Sequence, residues 1–351
     1  MLRASQKSSL SQGRSCPGIA RYRVPTENLV SLLRNRRLLF SIIVPTFNRP
    51  TSLQRCLRAL ARLSYPKNEY EVIVVDDGGS ADIGEVIAAT QSEMKVSMIR
   101  QGNCGPACAR HNGARHASGD FLAFTDDDCE PSTDWLKGLK AALQMSPEAL
   151  VGGRLVNGLA GNLYAEASQS ISEFCYSHFN REGNKENFFE SNNIAMAKVL
   201  YQRVGFDETY PLNVSEDRDF CDRWLANGLK MVCAPNAMVV HHHQMGFRGF
   251  CRQHFNYGRG AWAYSVSRIR RNRGRVPFEG WRFHLGLILS PFRNARFSRA
   301  VRLSGLICLT QMVVVAGYAW ERFVFQSPQR QARHTDRNND IGRPQKLMAG
   351  D

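Results

Sequence analysis

Apolar and polar residues occur in alternating blocks along residues 38–125. Short apolar runs that end at proline, glycine or aspartate predict buried strands, because a strand covered on both faces lacks polar alternation. These runs occupy residues 38–47, 71–77, 96–100 and 120–125. The amphipathic segments between them predict helices at about 52–63, 82–93 and 105–118. Strands that alternate with helices predict βαβ units and a parallel sheet.

Polar and acidic clusters follow three of these predicted strands. The clusters are Pro45–Arg49, Asp76–Ser80 and Asp126–Asp128. Right-handed crossovers bring the carboxyl ends of parallel strands to one edge of the sheet, and ligands of open α/β sheets bind at that edge. The sequence therefore predicts a binding site there.

The pattern is less regular after residue 150. Residues 188–196 and 231–242 predict strands, and residues 215–227 predict a helix capped by Ser215. Residues 303–320 carry no charge over eighteen positions, which is the lower length limit for a membrane-spanning helix. A buried core helix is the alternative for this run, because it contains several small and polar residues.

Charge changes the picture mainly at the C-terminal side. The chain has 351 residues, 43% of them hydrophobic, and 46 basic against 31 acidic residues give a net charge of +15. Residues 268–302 hold ten arginines and one acid, Glu279. Such a stretch fits nucleic acid or an anionic membrane. The adjoining uncharged run favours the membrane, because nucleic-acid binding does not require it.

Cysteine usage and the N-terminus bear on compartment. The ten cysteines form no C-x-x-C pair, which argues against a zinc ribbon or a disulfide scaffold and predicts reduced thiols in the cytosol. No apolar signal-peptide core is present at the N-terminus. Residues 1–37 therefore predict a basic disordered tail, with a transit peptide as the alternative for 1–26. Residues 327–351 predict a second disordered tail.

The acidic triplet Asp126, Asp127 and Asp128 directly follows the apolar strand FLAF. Adjacent carboxylates repel one another, so a fold tolerates them only with a counter-cation or full solvation. Mg²⁺ and Mn²⁺ bind carboxylate oxygens together with ligand phosphates. A solvated acidic turn is the alternative, but the second acidic pair at the same edge favours a site for a metal and a diphosphate.

Taken in order, these motifs resemble family-2 glycosyltransferases, the inverting GT-A class that uses nucleotide sugars. The matching stretches are SIIVPTFNRP (41–50), EVIVVDDGGS (71–80), GPACARHNGARHASGDFLAFTDDDCEPSTDWL (105–136), ESNNIAMAKVLYQRVGFDE (190–208) and SEDRDFCDRWLANG (215–228). The resemblance implies an α/β, GT-A-like fold, in which helices flank a Rossmann-like, mainly parallel sheet. The basic stretch 268–302 and the uncharged run 303–320 add a basic helical extension at the C-terminal side.

For the nucleotide, the resemblance implies that Pro45 and Phe47 line the nucleobase pocket and that Asp77 holds the base. Arg110 would lie near the nucleotide, and the alternative for this residue is a solvated charge on a helix.

For the diphosphate, the resemblance implies that Asp126 contacts ribose or metal and that Asp128 holds the metal. Asp127 would be a further donor-binding residue, and the division of roles among the three carboxylates stays open. His241 would be an additional metal ligand. Because alternate side chains of a strand share a face, His243 can act together with His241, and a surface histidine run is the alternative.

For the acceptor, the resemblance implies that Asp217 is the general base and that Glu216 contacts the acceptor. Asn192 and Asn193 match the segment that faces the donor sugar or the acceptor, with Asn193 as the predicted acceptor contact, and a turn is the alternative for both. A base is needed because a hydroxyl is a poor nucleophile until its proton is removed. The alternative for Glu216 and Asp217 is a structural role as acids at a helix N-terminus, where the dipole favours them.

We therefore predict an inverting glycosyltransferase assisted by Mg²⁺ or Mn²⁺. Residues 38–150 would bind a nucleotide-sugar donor, 151–250 a glycan or lipid-linked acceptor, and 251–326 an anionic membrane surface, without nucleic acid. The expected location is the cytoplasmic face of the membrane, either peripheral or as a single span at about 303–320. The expected pathway is cell-surface polysaccharide or glycolipid synthesis.

Two other classes of protein stay open from the sequence. A sugar-nucleotide nucleotidyltransferase should carry a glycine-rich phosphate loop near the first strand, whereas PTFNRP contains no glycine. A basic nucleic-acid-binding protein would account for the net charge but would leave the acidic strand ends unexplained.

Overall fold

The computed structural model describes residues 39–159, 161–180, 188–208, 210, 214–271 and 279–325. The two predicted tails lie outside the described residues. The nine described cysteines are free thiols, which agrees with the cysteine spacing.

Eight strands of the described chain form one mixed sheet. They are β1 (Phe40–Thr46), β2 (Tyr70–Asp76), β3 (Val96–Arg100), β4 (Phe121–Phe124), β5 (Cys129–Pro131), β6 (Leu150–Asn157), β7 (Ile194–Ala197) and β8 (Met231–His241). Their order is β3-β2-β1-β4-β7-β6-β8-β5. Strands β1 to β4 are mutually parallel, which confirms the predicted βαβ units. β7 is antiparallel to β4 and β6, so the sheet continues unbroken past residue 150.

Ten α-helices occur among the described residues. They are α1 (Pro50–Ala61), α2 (Gly84–Ala88), α3 (Pro106–His116), α4 (Trp135–Met145), α5 (Leu163–Phe179), α6 (Lys198–Val204), α7 (Glu216–Ala226), α8 (Phe247–Arg270), α9 (Trp281–Leu289) and α10 (Phe297–Phe325). Short 3₁₀ turns add Lys67–Glu69, Ser191–Asn193 and Ser290–Arg293. The helical C-terminal region is therefore present as predicted.

Two elements are shorter than predicted. α2 ends at Ala88 because the next residues turn back through bonds of the 3₁₀ type, such as Thr90 N–H to the Ile87 carbonyl. The predicted strand at 188–196 is reduced to β7, because the 3₁₀ turn Ser191–Asn193 precedes it. That turn places polar side chains beside the sheet.

Close packing of α3 on the sheet carries Arg110 to the predicted edge. A β-carbon at Gly113 would lie 2.6 Å from Ile43 Cγ2, so only glycine lets the helix approach β1 this closely. Arg110 is one turn earlier and is almost fully buried. The predicted apolar face of α1 also lies in the core, with Leu53, Leu57 and Leu60 fully buried.

At the C-terminal side, α10 packs along α8. Their backbones approach at two glycines, because a β-carbon at Gly258 would lie 2.0 Å from the Val314 carbonyl oxygen, and one at Gly317 2.0 Å from that of Phe255. Among the described helices, Phe297–Val324 alone is long and apolar enough to cross a membrane, and a third of its apolar window is buried.

Candidate active site

A cleft of about 310 Å³ opens where β1, β2 and β4 end. Eleven of the residues predicted from sequence line it: Pro45, Phe47, Asp77, Arg110, Asp126, Asp128, Asn192, Glu216, Asp217, His241 and His243. The cleft therefore lies at the sheet edge that the strand pattern predicts. Asp127 and Asn193 are the two predicted residues that do not line it.

Asp77 is held rigidly at one end of the cleft. Its Oδ1 accepts hydrogen bonds from Gln101 Nε2 at 2.8 Å and from the Cys104 N–H at 3.0 Å. Its Oδ2 accepts one from the Gly105 N–H at 2.8 Å. Since each carboxylate oxygen can accept two hydrogen bonds, Oδ2 keeps acceptor capacity for a ligand.

The three adjacent aspartates have different surroundings, whereas the sequence did not distinguish their roles. Asp126 accepts a hydrogen bond from Arg110 Nη2 at 2.7 Å. Asp127 is fully buried, accepts one from Thr46 Oγ1 at 2.7 Å and pairs with Arg49 at 2.8 Å. Burial raises the pKa of Asp127 to about 7, although the Arg49 charge opposes that rise. Asp127 is therefore part of the wall behind the cleft.

Asp128 faces two imidazoles from the end of β8. Its Oδ1 lies 3.3 Å from His241 Nε2, and its Oδ2 lies 3.6 Å from His243 Nδ1. Burial alone would raise the pKa of Asp128, but hydrogen bonds from these histidines and the Arg49 charge hold it well below its usual range. Asp128 is consequently ionised and is available as a ligand.

The Asp128, His241 and His243 side chains form a candidate metal site. One ligand atom from each residue lies within 4.8 Å of the other two. The intervening His242, the first residue after β8, faces away from this group, and its Nε2 lies 2.8 Å from Glu130 Oε1. One carboxylate and two imidazoles match the ligand preferences of divalent ions such as Mn²⁺, so the residues present fit such an ion.

Arg110 connects the two sides of the cleft. Besides Asp126, its guanidinium donates to Glu216 Oε1 at 3.1 Å; Glu216 is buried, whereas Asp126 is partly exposed. A buried cation between two carboxylates offsets the cost of removing all three charges from water. Glu216 is therefore paired with Arg110. Among the described residues, the carboxylate of Asp217 has no such ion pair.

Asp217 lies in the first turn of α7 and faces the cleft. Burial is the main cause that raises its pKa to about 8, and the negative charges of Glu216 and Glu190 add to it. Ser215, just before the helix, has a left-handed backbone with φ of 67°. This turn sets the direction in which α7 begins, and so the position of the Asp217 carboxylate.

Asn193 is turned into the protein. Its amide nitrogen donates to the carbonyls of Arg154 and Ala237, and its Oδ1 accepts from Trp135 Nε1 at 2.8 Å. The neighbouring Asn192 lines the cleft instead, and its buried Oδ1 has no hydrogen-bond partner among the described residues. Asn192 is thus the better placed of the two to contact a substrate.

Residues 41–205 match the family model described as glycosyl transferase family 2. Residues 41–205 are therefore a glycosyl transferase family 2 domain. The chain is similar to glycosyltransferase AglE of Haloferax volcanii, with 28% identity over 168 residues that cover 47% of this chain and 54% of that protein. The chain spans about half the length of the curated relatives it matches.

Solved structures of glycosyltransferases share the fold. The mannosyltransferase PcManGT from Pyrobaculum calidifontis, solved with GDP-Man and Mn²⁺, aligns with a TM-score of 0.57, 16% identity and coverage of 82% of this chain and 88% of that chain. Staphylococcus aureus TarS 1–349, solved with UDP-GlcNAc, aligns with a TM-score of 0.51 and 17% identity over 82% and 92%. The fold of this glycosyltransferase is therefore GT-A-like, as predicted.

Several cleft residues of this glycosyltransferase escaped the sequence analysis. Arg49 follows the first strand, and its guanidinium lies between Asp127 and Asp128 at 2.8 Å from each. Gln253 and Tyr257 of α8 close the opposite side, and Gln253 Oε1 lies 3.1 Å from His243 Nε2. The signal for Arg49 was its place in a strand-end cluster, whereas α8 gave no local signal of a cleft wall.

Proposed function

We propose that this glycosyltransferase moves a sugar from a nucleoside-diphosphate donor to an acceptor hydroxyl with inversion, assisted by Mg²⁺ or Mn²⁺. The observation that carries the proposal is that one cleft contains two separate functional groups. The first is the group formed by Asp128, His241 and His243, and the second is the Asp217 carboxylate with its raised pKa. Metal-assisted glycosyl transfer needs both.

Donor binding is assigned to the end of the cleft formed by β1 and β2. Pro45 and Phe47 would flank the nucleobase, and Asp77 would accept a hydrogen bond from it. Arg110 and Asp126 would lie beside the ribose and diphosphate. Asp127 would act on the donor from behind, through its ion pair with Arg49. The complexes of PcManGT with GDP-Man and of TarS with UDP-GlcNAc support a nucleotide-sugar donor.

The metal would be held by Asp128, His241 and His243. When bound, it would supply positive charge for the diphosphate that leaves. Imidazole ligands favour Mn²⁺ over Mg²⁺, because Mg²⁺ prefers oxygen ligands.

Asp217 would act as the general base. It would take the proton of the acceptor hydroxyl while the hydroxyl oxygen forms a bond to the anomeric carbon on the face opposite the diphosphate. The bond to the nucleoside diphosphate breaks, and its electron pair leaves with the diphosphate. Glu216 would position α7 through Arg110, and Asn192, with Asn193 behind it, would contact the acceptor or the donor sugar.

The acceptor is assigned as a glycan or a lipid-linked hydroxyl, in cell-surface polysaccharide or glycolipid synthesis. The enzyme would work at the cytoplasmic face of the membrane, where nucleotide sugars are made. The exposed apolar side of α10 supports membrane proximity.

A panel of nucleotide sugars tests the proposed reaction. Release of nucleoside diphosphate would be scored with Mn²⁺, with Mg²⁺ and with excess chelator, and the anomeric configuration of the product read by NMR. We expect metal-dependent release and an inverted product. Retention of configuration, or full turnover in chelator, would contradict the proposal.

The pH profile of turnover should report the raised pKa of Asp217. Only the deprotonated carboxylate accepts a proton, so kcat is expected to rise with pH, to reach half of its limit near pH 8 and to level off above that pH. The variant Glu190→Gln removes one of the charges that raise this pKa and should move the rising limb to lower pH. A limb that ends near the ordinary carboxyl pKa of about 4 would exclude Asp217 as the base.

Removal of Arg49 should expose its role as an internal counter-charge. Arg49→Met leaves Asp127 and Asp128 without their shared cation, and we expect the free energy of unfolding in chelator to fall by about 1–2 kcal/mol, since Arg49 is half exposed. Saturating Mn²⁺ should reduce this loss, because it restores positive charge beside Asp128.

Urea titrations with and without Mn²⁺ measure the effect. The control is Arg55→Met, which removes a similarly exposed arginine from its pair with the partly exposed Glu130, at 3.0 Å and outside the triplet. Equal losses with and without metal in Arg49→Met would contradict the counter-charge role.

A further inference from the structure

The side of α10 that faces away from the enzyme is exposed and apolar. Five of its large apolar side chains follow the spacing of one helix face, and Trp320 lies at the margin. Their exposed fractions run from 48% to 76%, for Phe297, Val301, Met312, Val315, Trp320 and Phe323. This stripe extends over about 39 Å at 1.5 Å per residue. Exposed apolar area of this extent marks an interaction surface.

The preceding segment widens the stripe. Trp281, Leu285, Leu289 and Phe292 are exposed on α9 and the 3₁₀ turn after it. The rings of Phe292 and Phe297 lie 5.8 Å apart and join the two parts. We call these exposed residues of 281–323 the outer face.

The opposite side of α10 is fixed to the catalytic domain. Besides the contacts at Gly258 and Gly317, Arg259 of α8 pairs with Glu321 at 2.6 Å, and both side chains are largely buried. A membrane span would require α10 to leave α8, or α8 to enter the bilayer together with its arginines. Charged side chains are costly within a bilayer. The packing therefore leaves α10 only the plane of the membrane surface.

Positive charge borders the outer face. Five arginines are exposed around it: Arg282, Arg293, Arg296, Arg302 and Arg322. Among the described residues, none of the five pairs with a carboxylate, whereas Glu321 pairs with Arg259 and Glu279 lies 3.3 Å from His178. An apolar stripe between unpaired arginines is complementary to an acidic lipid surface, since the stripe enters the headgroup region and the arginines meet phosphates.

We infer that the outer face is a membrane seat, on which the enzyme lies flat in the surface of an acidic phospholipid bilayer. α8 lies between this seat and the cleft, because Gln253 and Tyr257 line the cleft while Phe255 and Gly258 contact α10. The cleft is thus separated from the lipid by α8 and by the part of α10 that packs on it. From this position the enzyme would receive a lipid-linked acceptor directly from the membrane, and this step rests on the proposed function. The membrane seat itself does not depend on the proposed function.

Vesicle sedimentation tests the seat. The full chain should bind vesicles of phosphatidylcholine with about 30 mol% phosphatidylglycerol, release at high salt, and bind pure phosphatidylcholine poorly. The double variant Val315→Glu, Phe323→Glu should bind acidic vesicles at least about tenfold more weakly. The matched control is Met145→Glu, at an 86% exposed apolar residue of α4. Equal binding by the double variant and the control would overturn the inference.

A charge-reversal variant keeps the test independent of the apolar substitutions. Arg282→Glu combined with Arg302→Glu leaves the stripe intact and should abolish the preference for acidic lipid. Circular dichroism and thermal unfolding of every variant should match the wild type, because the changed residues are exposed. A variant that keeps its preference for acidic vesicles would overturn the electrostatic part of the inference.

Tryptophan fluorescence distinguishes three arrangements of α10: lying flat in the membrane surface, spanning the bilayer, or covered in a dimer. Trp135 and Trp224 are fully buried and Trp262 is partly buried against Tyr318, so the exposed Trp281 and Trp320 should contribute most of the quenching by brominated lipids. Quenching should be strongest with bromine near the headgroups. Strongest quenching from the bilayer centre, or an oligomer that Val315→Glu dissociates without any vesicle binding, would overturn the seat. Turnover on a soluble acceptor should be unchanged in the double variant, so a failed seat and a failed transferase proposal give different results.

Discussion

Asp128→Asn is expected to lower sugar transfer by at least about 10³-fold, because it removes the one carboxylate that faces both His241 and His243. An asparagine amide brings no negative charge to a divalent ion, and it also weakens the pair with Arg49. The variant should bind Mn²⁺ weakly and should no longer bind the donor in a metal-dependent way.

Titration calorimetry with Mn²⁺, followed by the donor, checks this expectation. Asp134→Asn is a suitable control, because that carboxylate is exposed and pairs only with Lys137 on the surface. Thermal unfolding of both variants separates loss of the site from loss of the fold. Wild-type turnover in excess chelator would refute the metal role of Asp128.

Asp217→Asn should lower kcat by roughly 10²–10⁴-fold and leave donor binding nearly unchanged. The reason is that a base acts on the acceptor proton, whereas the donor is held at the other end of the cleft. Single-turnover rates together with donor dissociation constants measure the two effects separately.

Glu216→Gln serves as the comparison. It leaves the buried Arg110 with one carboxylate fewer, so its main effect should be on stability. A near-normal kcat in Asp217→Asn, or a larger loss of kcat in Glu216→Gln, would transfer the role of base to Glu216.

The donor half of the fold was predictable because its signals are local. Buried strands such as IIVPT and VIVVD carry nothing but apolar residues until they end, so their boundaries and the clusters after them are readable from composition. The chirality of parallel crossovers then collects Pro45, Asp77 and Asp126 at one edge. These residues do meet in one cleft.

The second half depends on pairings that leave no local trace. β7 has four residues and inserts antiparallel between β4 and β6. The sequence IAMA alone does not indicate this pairing. Whether Asn192 or Asn193 faces the cleft depends on the 3₁₀ turn that contains both. The bridge from Arg110 to Asp126 and Glu216 joins residues up to 106 positions apart, so only the folded chain reveals it.

The backbone conformation of Ser215 links the thermal stability of the enzyme to the position of its proposed base. Its left-handed backbone costs a residue with a side chain about 1–2 kcal/mol, whereas glycine adopts the same φ freely. Replacing Ser215 by glycine is therefore expected to raise thermal stability at a position two residues before the proposed base, Asp217. Selection for thermal stability should favour Ser215→Gly. The kcat of that variant would measure how strongly the position of the Asp217 carboxylate depends on the restricted backbone of residue 215.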